Sequence, residues 1–165
     1  MRTYNAATVR IAQLTEAQPV NVPMAEVSQA LTTGAIDAMI TSAVTGVENR
    51  VWSRLKLYYE IKAWFPKNIL MVSKAALDAL PPRARGAVLE AARQAEPRGW
   101  AACEVAARES LEELRRQGMR VEAPTAQLRL DLRRLGERFS LEWLRDVGPE
   151  ANAIFIPCYQ QVSQS

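Results

Sequence analysis

Along the first third of the chain, short apolar stretches alternate with segments of helical spacing, an order that predicts βα units of an α/β domain. Met1 to Tyr4 predicts a short strand, and Ala6 to Ala17 a helix with Val9, Ile11, Ala12 and Leu14 as its apolar positions. The opening run Arg2-Thr3-Tyr4-Asn5 enters structured sequence with no cap or lead-in, as though the chain began within a fold. Pro19-Val20-Asn21-Val22-Pro23 reads as extended, because prolines at both ends forbid helix. Met24 to Thr33 returns to helical spacing through Val27, Ala30 and Leu31, and Gly34 falls where a left-handed C-terminal cap is expected. Ala35 to Ile40 then predicts a buried strand ending in Thr41-Ser42, and a helix from about Val44 to Leu55 follows. Open α/β sheets collect ligands outside the carboxyl ends of their strands, so Thr41 and Ser42 carry more weight than the same residues on a helix face.

Leu57 to Phe65 and Asn68 to Val72 read as two further extended pieces. The remainder is helical. Pro81 and Pro82 open a long Ala-, Arg- and Glu-rich helix that Gly118 ends, with Pro97 expected to kink or divide it. Met119 to Glu122 is a short strand, and Thr125 to Val147 an amphipathic helix carrying Leu128, Leu132, Leu135, Phe139 and Trp143, closed by Gly148-Pro149 before a last helical segment. The organisation expected is an α/β core over about 1–80 and a helix-rich rear over about 81–165, with no internal repeat.

Composition then removes chemistry. The 165 residues include no His, which excludes Ser-His-Asp and Cys-His hydrolysis and His-based metal sites. Cys103 and Cys158 stand far apart, in no Cys-x-x-Cys pair, and read as small buried apolar residues. The net charge of +3 comes from Arg scattered among Glu, without a basic run or interleaved aromatics, so no nucleic-acid partner is expected. No apolar run approaches the roughly twenty residues that cross a bilayer, so no direct membrane insertion is expected. Neither a nucleophile elbow, a phosphate loop nor a dinucleotide fingerprint appears, which ranks a small α/β transferase or hydrolase low.

One long segment, from Pro19-Val20 through Glu26-Val27-Ser28-Gln29-Ala30-Leu31-Thr32-Thr33-Gly34 to Ile36-Asp37, resembles the DctP-type solute-binding proteins of tripartite ATP-independent periplasmic (TRAP) transporters. Other stretches agree in order: Arg2-Thr3 with the end of the family's Gly-x-Lys-x-Arg strand, Pro66 to Lys74, Leu77-x-x-Leu80-Pro81 with Arg85, Glu96 with Trp100, and Leu114 to Met119. The resemblance implies the C-terminal part of a periplasmic-binding-protein-like α/β fold, with a long helix spanning two lobes and most of the N-terminal lobe missing. It implies a non-enzymatic subunit that captures a small organic acid and delivers it to the TRAP membrane subunits. A periplasmic location follows from it, with the signal peptide in the missing part. A cytosolic α/β or helical interaction module with no transport role is the alternative.

By this resemblance Arg2 is the carboxylate clamp, and guanidinium chemistry suits that role, since its rigid fork of donors matches a carboxylate in two charge-assisted bonds. Without the resemblance Arg2 reads as a solvated N-terminal side chain. Thr41 falls where the family places a small polar ligand contact, or else it satisfies local backbone; Ser42 is its weaker neighbour. Met24 and Trp64, the latter with Phe65, are cleft-lining by resemblance and core residues otherwise. Asn68 orients ligand or caps the bend after Pro66. Glu26 and Asp37 are read as structural, at a helix start and a strand start, and not as a catalytic pair. No catalytic residue, metal ligand or cofactor is expected.

Overall fold

A computed structural model of the chain describes residues 1–63 and 67–163, the last six of these by their backbone. Contacts group the chain into two units, Met1–Ile40 with Ala123–Ser165, and Thr41–Glu122.

The first unit opens with a βαβ turn. β1 (Arg2–Thr3) and β2 (Val20–Asn21) are parallel, in the register Arg2↔Val20 and Thr3↔Asn21, and α1 (Ala6–Leu14) is the crossover that parallel pairing requires. The entry is capped after all. Asn5 Oδ1 accepts from the Thr8 amide at 2.9 Å, and the Thr8 hydroxyl accepts from the Asn5 amide at 3.1 Å, a capping box built with Thr in place of Glu or Gln. α1 stops three residues before Ala17. The Ala17 amide reaches back to the Ala12 carbonyl at 2.8 Å while Glu16 turns left-handed at φ 57°, a Schellman end without glycine.

A 3-10 turn at Met24–Glu26 precedes α2 (Val27–Thr33), which buries Val27, Ala30 and Leu31 and ends at Gly34 with φ 75°, the left-handed cap its position foretold. The strand expected over Ala35–Ile40 does not form as such. Only Met39 pairs, as a single parallel bridge to Arg2, and only Ile36 of the segment is buried. One bridge anchored by the Arg2 amide on the Ala38 carbonyl (2.7 Å) is too little ladder for a strand.

Two helices from the chain's rear complete this unit. α6 (Ala126–Val147) begins where the Thr125 hydroxyl accepts from the Leu128 amide, and after a 3-10 turn at Pro149–Ala151 comes α7 (Asn152–Ser163). α6 is tied to α1 by a two-pronged ion pair: Arg10 Nε and Nη2 donate to the two Glu142 carboxylate oxygens at 2.7 and 2.5 Å.

In the second unit α3 (Ala43–Glu48) is shorter than the helix expected through Leu55. Arg50 turns left-handed at φ 48°, and a separate 3-10 turn follows at Val51–Ser53. β3 (Leu57–Tyr59) pairs in parallel with β4 (Arg120–Glu122), and the connection between them holds α4 (Lys74–Asp78) and α5 (Pro82–Arg116). Asn68–Val72 joins no strand among the described residues. Nor does Pro97 divide α5. Pro97 forfeits one bond to Arg93, but the helix is exposed at every residue from Pro82 to Val105, which leaves the freed carbonyl open to water. The unit's core lies at the far end of α5. Leu114 is wholly buried, with Ala43, Val51 and Met119, and a Cβ placed on Gly46 would stand 3.4 Å from Val51 Cγ2 and 3.7 Å from Leu114 Cδ2.

Truncating the one fully buried side chain of α5, Leu114→Ala, is expected to cost about 2–5 kcal/mol, read as a lowered denaturation midpoint in the second unit. The tie between α1 and α6 carries a pH signature. The Arg10 hydrogen bond holds the Glu142 carboxyl below its ordinary range, so its contribution is full above that range and is lost as pH falls through the lowered folded value. Melting temperature followed into acid should therefore fall less steeply in Arg10→Met than in the parent; equal slopes would rule the tie out as a contributor.

Candidate functional site

β1 lies between β2 and the Met39 bridge. Arg2 and Thr3 are both buried, and strand alternation sends their side chains to opposite faces. The Arg2 side chain is not solvated: the residue is 3% exposed, which overturns the surface reading. Its Nε donates to the Val22 carbonyl at 3.0 Å, and its guanidinium carbon lies 4.8 Å from the centre of the Tyr4 ring. Burial pulls the Arg2 pKa down from its ordinary value, with Tyr4 opposing. No carboxylate forms an ion pair with Arg2 among the described residues. A buried cation is therefore held by a carbonyl and an aromatic face, both neutral, which fix it without cancelling its charge.

The other candidates distribute as follows. Met24 opens the 3-10 turn after Pro23 in the same unit and is half exposed, so it is not a core residue. Thr41, Ser42 and Asn68 belong to the second unit. Thr41 is half-buried coil. The Ser42 hydroxyl is engaged as the N-cap of α3, accepting from the Thr45 amide at 3.1 Å and donating to Thr45 Oγ1 at 3.1 Å. Asn68 is exposed in coil. Trp64 and Phe65 lie outside the described residues. Beside α3, the Tyr58 phenol is pushed up by burial, then by the nearby Glu60 charge. Cys103 is exposed, against the expectation of a buried residue.

Three elements of the Arg2 environment went unread in the sequence. Tyr4 stands two residues from Arg2 and so on the same strand face, a spacing that was available as a signal. The Val22 carbonyl depends on the β1–β2 register and had none. The Thr3 hydroxyl is buried with no hydrogen-bond partner among the described residues, and nothing in the structure accounts for it. No group of three His, Cys, Asp or Glu side chains gathers among the described residues, and none of the described helices is long and apolar enough to cross a membrane.

Comparison with known proteins places this geometry in a family. The profile of DctP, bacterial extracellular solute-binding protein family 7, matches residues 1–140. Among solved structures, the chain is 39% identical to DctP6 of Bordetella pertussis, an extracytoplasmic solute receptor binding pyroglutamic acid, with a TM-score of 0.89 over 97% of this chain and 53% of that one. DctP7 of the same organism, also described as binding pyroglutamic acid, is 38% identical, with a TM-score of 0.83 over 92% and 50%. A marine metagenome TRAP solute-binding protein specific for pyroglutamate is 34% identical, with a TM-score of 0.85 over 97% and 52%. The chain thus spans about half the length of the solved structures it matches. No curated protein matches it.

The unpartnered Thr3 hydroxyl makes a prediction independent of any ligand. Thr3→Val removes a buried polar group at constant shape, so it should leave stability unchanged or raise it by up to about 1 kcal/mol in denaturant titration. A marked loss would mean that the hydroxyl has a partner in solution.

Proposed function

The chain belongs to the DctP family of bacterial extracellular solute-binding proteins, and from that premise we propose that it forms the C-terminal half of a TRAP receptor for a small cyclic carboxylate of the pyroglutamate kind. In this reading the receptor works outside the cytoplasm, makes and breaks no bond in its ligand, and hands it to the TRAP membrane subunits. The observation that carries the reading is the buried Arg2 guanidinium with no carboxylate of its own. With Nε committed to Val22, the two terminal nitrogens remain for the two oxygens of a ligand carboxylate, in parallel charge-assisted bonds. Tyr4 acts through Arg2. Its ring fixes the plane of the fork, so less side-chain freedom is lost when the ligand arrives.

Three relatives above 30% identity are described as pyroglutamate binders, which supports that acid over larger sugar acids as the ligand. Pyroglutamate offers one carboxylate and a lactam with one donor and one acceptor. Thr41 stays in the proposal as a hydroxyl able to answer either lactam group, and Asn68 as an amide with both. Ser42 contributes less, because its hydroxyl is already occupied in the α3 cap. Met24, half exposed, is proposed as an apolar contact for the ring carbons. The long α5 is the helix proposed to span the two lobes.

Calorimetric titration of pyroglutamate into the receptor that contains this chain should show saturable one-to-one binding. Arg2→Lys should weaken it at least tenfold, about 1.4 kcal/mol, because an ammonium cannot present two parallel donors. Tyr4→Phe should bind like the parent and Tyr4→Ala several-fold more weakly. Failure of the intact receptor to bind pyroglutamate or any other small carboxylate would falsify the reading, while unchanged affinity in Arg2→Lys would remove only the clamp.

A further inference from the structure

Building on the receptor reading, we propose that Thr8 is a positioning residue of the ligand site: its buried hydroxyl fixes the backbone of Tyr4 and, through the Tyr4 ring, the plane of the Arg2 fork. The observation is a shared oxygen. Thr8 lies in the first turn of α1 and is 1% exposed, and its Oγ1 accepts from the amides of both Tyr4 and Asn5, at 3.0 and 3.1 Å. Its own hydrogen goes to Asn5, whose carbonyl and Oδ1 each lie 3.0 Å away. A capping box needs only the Asn5 amide. The bond from the Tyr4 amide is surplus to the cap.

What the surplus bond does follows from the rigidity of the peptide unit. The Tyr4 and Asn5 amides belong to the two peptide planes that flank the Tyr4 Cα, so one oxygen that holds both planes sets φ and ψ of Tyr4 together. The first of these planes is gripped at its other end as well, where the Thr3 carbonyl accepts from the Val22 amide at 3.0 Å. Val22 in turn offers its carbonyl to Arg2 Nε at 3.0 Å. The circuit closes through the 4.8 Å contact between the Arg2 guanidinium carbon and the centre of the Tyr4 ring. Both groups that orient the guanidinium are thus referred to one residue of β2's exit, and Thr8 ties the circuit to α1.

Tyr4 needs such a hold. The residue is 45% exposed, so packing constrains its ring weakly, and the ring swings about a Cα–Cβ bond whose direction the backbone sets. An aromatic ring attracts a cation through its face, so a ring turned edge-on to Arg2 would stop orienting the fork. The choice of Thr8 over the usual Glu or Gln suits the double duty. A short β-branched side chain keeps its oxygen near the backbone in few rotamers, where two successive amides reach it.

Two measurements on the receptor that contains this chain test the inference: pyroglutamate titration, and the NMR signal of the Arg2 Nε–H group without ligand. Thr8→Val, of the same shape but without the oxygen, should weaken binding by about threefold or more and move the Arg2 signal toward its place in Tyr4→Ala. Thr8→Ser, which returns the oxygen, should restore both. Thr8→Val also costs stability, so affinity must be separated from folding. Added to Tyr4→Ala, it should still lower the melting temperature yet change affinity by less than about twofold, because the residue it acts through is already gone. Asn5→Ala, which removes the cap of α1 but leaves the Thr8 oxygen on the Tyr4 amide, should melt lower and bind like the parent. Should Thr8→Val not fold, Thr8→Cys, with its weaker acceptor, takes its place under the same expectations. Parent affinity or an unmoved Arg2 signal in Thr8→Val would overturn the proposal, as would a further loss of affinity in the double variant. An intact receptor that binds no carboxylate sinks the receptor reading alone, and the Arg2 signal then decides whether Thr8 positions the fork.

Discussion

The first unit depends on the backbone of a strand two residues long. Met1 and Thr3 offer their carbonyls to the amides of Val20 and Val22, and Arg2 sends its own amide to Ala38 on the other side. Two distant pieces of chain are thereby fixed around β1. A parallel pair this short is weak by itself and persists because its crossover helix is fastened at both ends, by the Asn5–Thr8 box and the Schellman turn at Glu16. The same ladder sets the chemistry. The register that pairs Arg2 with Val20 leaves the Val22 carbonyl within reach of Arg2 Nε, so the charge is positioned by the sheet and not by a neighbouring acid.

What could be read from the sequence was what local rules decide. Gly34 as a left-handed cap, Pro82 at a helix start and Thr125 as an N-cap each follow from the conformation one residue permits. The α/β class, the long helix and the family followed from the order of such signals. Errors arose where two local rules competed or a distant partner decided. Asn5 caps α1 without a legible signature, because its capping box has Thr8 where an acid or amide is usual. Ala35–Ile40 has the composition of a buried strand, but only Met39 finds a ladder partner. Pro97 ordinarily breaks a helix, yet in α5 the freed carbonyl is open to water. At the candidate site, the family resemblance singles out Arg2, whereas its burial and its carbonyl partner come from pairing across some twenty residues, which no short window of sequence contains; the Tyr4 ring, two residues away, lies within one.

The two units also differ in how much of their surface is accounted for. The core of the second rests on Leu114, Met119, Val51, Ala43 and the space left by Gly46, all near the C-terminal end of α5. From Pro82 to Val105 that helix is exposed at every residue. Since tertiary packing of one face, more than propensity, stabilises most helices, α5 is held within this unit by its C-terminal end.

Arg2 carries the same logic into function. A buried arginine is ordinarily stabilised by a carboxylate, and such a partner would be the strongest competitor a carboxylate ligand could face. A receptor that kept one would have to break an ion pair in low dielectric for every ligand it bound. Holding the guanidinium with a peptide carbonyl and a tyrosine face avoids that competition: both orient the fork, and neither neutralises it. The cost is a lowered preference for the charged form through desolvation. In the proposed receptor the ligand would supply the missing countercharge, so the stabilisation that a structural salt bridge would have given to folding would be deferred to binding.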